Sequence, residues 1–173
     1  MSERRVEQSR AVPTGFVPHA VRRSFRIPAP RAAVWDWLSD PATFTAGQPW
    51  PYRVEFVGGG FEDGVVCNHQ GPFLSLPGEI RDVRAPEYRD LRYLYGSYAI
   101  SARWIRPARL QFWLRDAPAA DGTPGTEVEL ELASFVRPWI AGIWTRLQNL
   151  FWWGFAATAP RMVRRRSARA ANA

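Results

Sequence analysis

Few side chains in this sequence could do chemistry unaided. It holds two histidines, His19 and His69, and one cysteine, Cys67. His69 lies mid-chain, and an imidazole with an ordinary pKa of about 6.5 suits proton transfer on a carbonyl compound. Glu79 would work as an acid or base if burial raised its pKa. Arg81, Arg92 and Arg103 are interspersed with Tyr93, Tyr95 and Tyr98. An inward guanidinium beside a phenol would hold a carboxylate or enolate oxygen through charge-assisted hydrogen bonds. The candidate catalytic residues are therefore His69, Glu79 and Arg81. Each has a plainer reading, a hydrogen-bonded strand histidine for His69 and solvated strand charges for the other two. Cys67 reads as a small core residue, since a nucleophilic thiol needs a neighbouring base or cation.

Other chemistries are excluded by type and spacing. A lone cysteine makes no disulfide within the chain. Cys67, His19 and His69 lack the clustered spacing of a zinc site, so no metal is expected. G-x-S-x-G is absent, and with it the hydrolase elbow. Gly58-Gly59-Gly60 is not G-x-G-x-x-G and precedes strand-like sequence, so no dinucleotide site or other cofactor is expected. The first residues, MSERRVEQSRAVPTG, lack the apolar run of a signal peptide, and no uncharged apolar stretch is long enough to span a bilayer. These features and the lone cysteine point to the cytoplasm, with peripheral membrane contact as the alternative.

The chain has 173 residues, of which 46% are hydrophobic and 14% aromatic, and it includes nine Trp, enough for one domain with a substantial core. The formal charge of +7 is unevenly spread. Residues 1–31 and 160–173 each net +5, while residues 32–159 net −3. The acidic body argues against a nucleic-acid partner despite the high isoelectric point. Arg164, Arg165 and Arg166 suit phosphates or anionic lipid, or simply form a solvated tail. Residues 1–16 read as a flexible Arg-rich arm, 17–165 as a single domain and 166–173 as a basic tail.

Periodicity supplies the elements. Val17–Ile27 alternates as a half-buried strand. Pro30 opens a helix over residues 30–39, and Asp40 caps a second short helix that starts with Pro41 and ends near Gly47. From Pro51 to Val136 the pattern is strand: Tyr52–Val57, Val65–Cys67, Glu79–Arg84, Leu91–Tyr95, Tyr98–Ile105 and Leu110–Arg115, with Pro107-Ala108 as a turn. Thr126–Val136 alternates most cleanly, with Val128, Leu130 and Leu132 opposed to Glu127, Glu129 and Glu131. Residues 139–165 read as one long helix that Pro160 kinks or ends. Its apolar arc runs through Trp139, Ile140, Ile143, Trp144, Leu147, Leu150, Phe151, Gly154 and Phe155, with Trp152 and Trp153 flanking it. Such an arc must cover the apolar face of the meander. Trp35, Phe56, Tyr95, Trp104, Phe112, Trp144, Leu147 and Phe151 can then converge on one space, either a solid core or a ligand cavity.

The strand Arg23–Ile27 followed by PAPRAAVWDWLSDPATF, with Ala29-Pro30, Val34-Trp35 and Asp40-Pro41, resembles the START-like helix-grip superfamily. This group is also called SRPBCC and includes polyketide cyclases/dehydrases and lipid-transport proteins. The resemblance covers about residues 19–165. It implies an α+β helix-grip fold, a curved antiparallel sheet of about seven strands wrapped on a long C-terminal helix, with two short helices after the first strand. It implies a cavity as well, but no shared catalytic signature. The expected function is binding of a hydrophobic or polycyclic small molecule. One form is a polyketide-type cyclase or dehydratase. The alternative is a non-enzymatic lipid or quinone carrier docked on anionic membrane through its Arg-rich ends, with Trp152 and Trp153 at the interface.

Overall fold

A computed structural model of the chain describes residues 11–45, 53–58, 60–71, 74–94, 103–118 and 120–171. The elements run β1 (Val17–Ile27), α1 (Arg31–Leu38), α2 (Pro41–Thr45), β2 (Arg53–Phe56), β3 (Val66–Gly71), β4 (Leu74–Arg84), β5 (Tyr88–Tyr93), β6 (Ile105–Asp116) and β7 (Thr126–Val136). A 3-10 turn, Pro138–Ile140, then leads into the long helix α3 (Ala141–Ala171). The seven strands form one antiparallel sheet in the order β1-β7-β6-β5-β4-β3-β2. β2 to β7 form a meander, and β1 closes against its last strand. The expected α+β architecture, a seven-stranded sheet gripping a C-terminal helix, is what the chain adopts.

Local sequence explains the elements that frame the sheet. α1 buries Val34, Trp35, Trp37 and Leu38, and Pro30 precedes its first residue. Thr126 of β7 donates its hydroxyl to the Ala29 carbonyl (2.8 Å), tying the entry of α1 to the sheet. Asp40 does cap the second helix, its carboxylate accepting from the Ala42 amide (2.9 Å). In β7, Val128, Leu130 and Leu132 are buried, while Glu131 and Glu129 on the opposite face pair with Arg22 and Arg115.

Three expectations change. Pro107-Ala108 is no turn: β6 runs through it, and the register shifts between Pro107 and Arg109. A bulge absorbs a proline that has no amide to offer the ladder. Pro160 neither ends nor breaks the helix line, for α3 continues to Ala171. The boundary expected at residue 166 thus falls inside a helix, and Arg166 forms an ion pair with Asp40 at the start of α2.

The third change concerns which face of α3 packs inward. Its fully buried side chains are Trp152, Ala159 and Val163. At 100° per residue these lie roughly 140° from the centre of the apolar arc read from sequence. The arc is shared out instead. One edge, with Trp144 and Phe155, packs toward the sheet. The centre at Leu147 and the other side, with Ile143 and Leu150, are at least 53% exposed. His19 of β1 fixes this rotation, its Nε2 lying 2.8 Å from Thr145 Oγ1. The Thr145 hydroxyl donates to the Ala141 carbonyl, so the histidine nitrogen acts as the donor.

Candidate functional site

Between the sheet and α3 lies a cavity of about 420 Å³. That is within the range of about 300–1,000 Å³ that houses small-molecule ligands. Strand alternation delivers its walls: Val54 and Phe56 from β2, Leu76 and Ile80 from β4, Leu91 from β5, Leu110 and Phe112 from β6. α3 supplies Trp144, Leu147, Phe151, Trp152 and Phe155. Phe44, Phe56 and Phe61 cluster at one end, with ring centroids 5.0–6.2 Å apart. Leu147 and Phe151 line the cavity yet are 53% and 43% exposed, so they mark its opening.

Among the sequence candidates, His69, Phe56, Phe112, Trp144, Leu147 and Phe151 meet at this cavity. Trp35 does not. It is buried in the core away from the cavity lining, and its neighbour Trp37 meets Phe155 of α3 at 5.4 Å. Trp104 is not on a strand: Arg103 and Trp104 are helical, and the indole is 39% exposed against Trp139. Tyr95 and Tyr98 lie outside the described residues. Glu79 and Arg81 stand away from the cavity. Leu76, Gly78 and Ile80 take the inward positions of β4, Arg81 is the extra residue of a bulge, and it pairs with Glu79 at 2.9 Å in partly exposed surroundings. Arg92 lies on the same outer face, 3.5 Å from Asp90.

The inward arginine is Arg89, which the sequence reading passed over. β5 begins at Tyr88, so Arg89, Leu91 and Tyr93 share one face, and all three line the cavity. Their matched parity was the available signal. Arg89 is only 4% exposed. Its Nη1 donates to the Leu38 carbonyl at the end of α1 (2.8 Å), and its guanidinium sits over Phe61 (4.3 Å), Phe112 (4.8 Å) and Phe44 (5.5 Å). Burial pulls its pKa down to about 9, so it remains a cation at neutral pH.

The groups around it stay neutral. Burial, with help from the Arg89 charge, pulls His69 down to about 3. Burial also pushes the buried Cys67 thiol up to about 11 and the Tyr93 phenol well above its ordinary value. His69 and Tyr93 meet edge-to-face, ring centroids 5.1 Å apart. A neutral imidazole here exchanges hydrogen bonds with a ligand oxygen more readily than it moves a proton. At the outer side of the cavity, Arg53 pairs with Glu55 (2.9 Å) and Gln70 (3.1 Å). Among the described residues no group of three His, Cys, Asp or Glu side chains gathers as a metal site.

No protein-family model matches the chain, and no curated protein matches it. Solved structures do. Norcoclaurine synthase from Thalictrum flavum, in complex with dopamine and hydroxybenzaldehyde, superposes with a TM-score of 0.58 at 14% identity, over 90% of this chain and 89% of that one. Ara h 8.0201 gives 0.58 at 15% identity, over 85% and 98%. A protein from Chromobacterium violaceum gives 0.59 at 13%, over 84% and 96%. The chain has the helix-grip fold. At such identities the likeness extends to the path of the backbone, and the helix-grip scaffold leaves the lining of the cavity to this chain's own residues.

Proposed function

We propose that the protein binds a hydrophobic or polycyclic small molecule in the cavity between its sheet and α3. The carrying observation is the cavity itself, about 420 Å³ and walled largely by aromatic and aliphatic side chains. Burial of apolar ligand surface supplies the driving force, and the few polar groups set orientation. A solved structure of the same fold, norcoclaurine synthase, holds dopamine and hydroxybenzaldehyde. The enzymatic form of this reading is a polyketide-type cyclase or dehydratase. The walls would hold a chain folded for closure, and Arg89 would stabilise the oxygen on which charge develops. Phe56, Phe112, Trp144, Leu147 and Phe151 are the ligand contacts we assign.

Native mass spectrometry of protein purified without added ligand, with solvent extraction of what is bound, tests the binding reading. The expected result is a co-purifying apolar compound, or uptake of an environment-sensitive apolar dye by an empty protein. A protein that carries nothing and takes up no dye would show the space to be closed to ligands.

A carrier that docks on anionic membrane is the second reading. Trp139, Ile143, Leu147, Leu150 and Trp153 are each at least 53% exposed along one side of the molecule. By helix geometry, Arg161, Arg164 and Arg165 continue the side of α3 that holds Ile143, Leu147 and Leu150. Residues 137–173 contain seven Arg and no acid, while the first 136 residues are balanced, so the whole formal +7 resides on this segment. An apolar strip with Trp and an acid-free cationic flank complements an anionic bilayer surface. Among the described residues no helix is long and apolar enough to cross a membrane. Sedimentation with phosphatidylglycerol-containing vesicles is expected to carry the protein down, less so at high salt. Equal sedimentation with pure phosphatidylcholine, or self-association without vesicles, would remove this reading.

A further inference from the structure

Arg89 is a cation that no anionic side chain among the described residues neutralises. Among the described residues no carboxylate lies within ion-pair distance of it, and its Nε has no hydrogen-bond partner. A guanidinium presents five N–H donors, of which the Leu38 carbonyl takes one. That carbonyl, at the end of an eight-residue helix, offers a partial negative charge at most. The faces of Phe44, Phe61 and Phe112 add cation–π attraction without neutralising the charge. Of the other ionisable groups that line the cavity, His69 and Tyr93 are neutral near pH 7, as is adjacent Cys67, and Arg53 at the outer side is already paired with Glu55.

The outer face of the same strand shows the usual arrangement. Asp90, 1% exposed, is held by Arg109 at 2.7 Å. Buried charges in proteins are paired as Asp90 is. Arg89 departs from that pattern where the neighbouring volume is a cavity rather than protein.

We infer that the cavity takes an apolar acid: a ligand with a hydrophobic body against Phe56, Leu110 and Phe151 and one carboxylate, or an equivalent oxyanion, seated on Arg89. This rests on the proposal that the cavity binds a small molecule, and it names that molecule's chemical class. The anion would occupy the free guanidinium donors in a charge-assisted, bidentate geometry, with His69 and Tyr93 as neutral hydrogen-bonding neighbours. A ligand carbonyl could occupy a donor but would leave the charge unbalanced.

Three pyrene probes of similar size separate this from a purely structural role in which Arg89 only fastens α1. They are 1-pyrenebutanoate, 1-pyrenebutanol and 1-pyrenebutylammonium, titrated into the full chain at neutral pH by fluorescence. The wild type is expected to bind the carboxylate at least about tenfold more tightly than the alcohol, and the ammonium least. Arg89→Gln is expected to abolish the preference for the carboxylate while leaving alcohol affinity within about threefold, and Arg89→Lys to retain part of it. Should Arg89→Gln not fold, the ranking of the three probes by the wild type still decides. Alcohol bound as tightly as carboxylate, or a preference that survives Arg89→Gln, would overturn the acid-ligand inference and leave the cavity reading standing. Failure of all three probes to bind would overturn both.

Discussion

Replacing Arg109 with methionine is expected to destabilise the protein by about 3–5 kcal/mol, a large share of the 5–15 kcal/mol typical of a domain. The reason lies in what the substitution leaves behind. Asp90 is 1% exposed, and Arg109 Nε reaches its carboxylate at 2.7 Å. Arg109 also reaches the Tyr88 hydroxyl (3.3 Å), which Gln111 supports at 2.6 Å. Arg92, at 3.5 Å, is too distant to replace that bond. Without Arg109 a nearly unpaired carboxylate remains buried between strands, which costs far more than the pair itself contributes. Urea unfolding at pH 7 measures the loss, and a change under about 1 kcal/mol would mean that Asp90 finds another partner or water. Arg89→Met, one residue along the chain from Asp90, should cost much less. It strands one helix-end carbonyl and removes a charge that no carboxylate among the described residues balances.

Acid should reveal His69 almost as strongly. In the folded chain its pKa is pulled down to about 3, against about 6.5 when unfolded. Between those values the unfolded chain binds a proton that the folded chain refuses, so stability falls as pH drops from about 6.5 toward 3 and is fully present above that window. At the acid end this amounts to about 4–5 kcal/mol. His69→Gln should flatten this part of the profile, with the stability gap between variant and wild type changing in the variant's favour across the window. Parallel profiles for the two proteins would mean that His69 titrates normally.

The strand-rich middle and the long helix were legible because alternation and helical spacing report burial directly, and β7 was read with the bounds it has. The site was legible where a strand's parity was clear. Phe56, Phe112 and His69 sit on inward positions of their strands, and Trp144, Leu147 and Phe151 on the cavity side of α3. Two things hid the rest. Bulges at Arg81 and around Pro107 shift parity by one residue, which counting cannot anticipate. The helix reading assumed that the widest apolar arc faces the core, whereas α3 turns that arc partly to the cavity and partly to the surface. Arg89 was missed for a related reason: an arginine on a strand is taken to point at water, and here it does not.

The sheet is open, with β1 at one end and β2 at the other. β1 is an eleven-residue strand with one edge paired to β7 and, among the described residues, no further strand beyond it. Such an edge is a template onto which another chain can add a strand. Here it carries Pro18, which has no amide to offer, and exposed Arg22, Arg23 and Arg26. A second copy lining up there would have to bring like charges together and leave hydrogen bonds unmade. The strand that completes the fold thus also guards it against cross-β polymerisation, a useful property in a protein that keeps so much aromatic surface close to water.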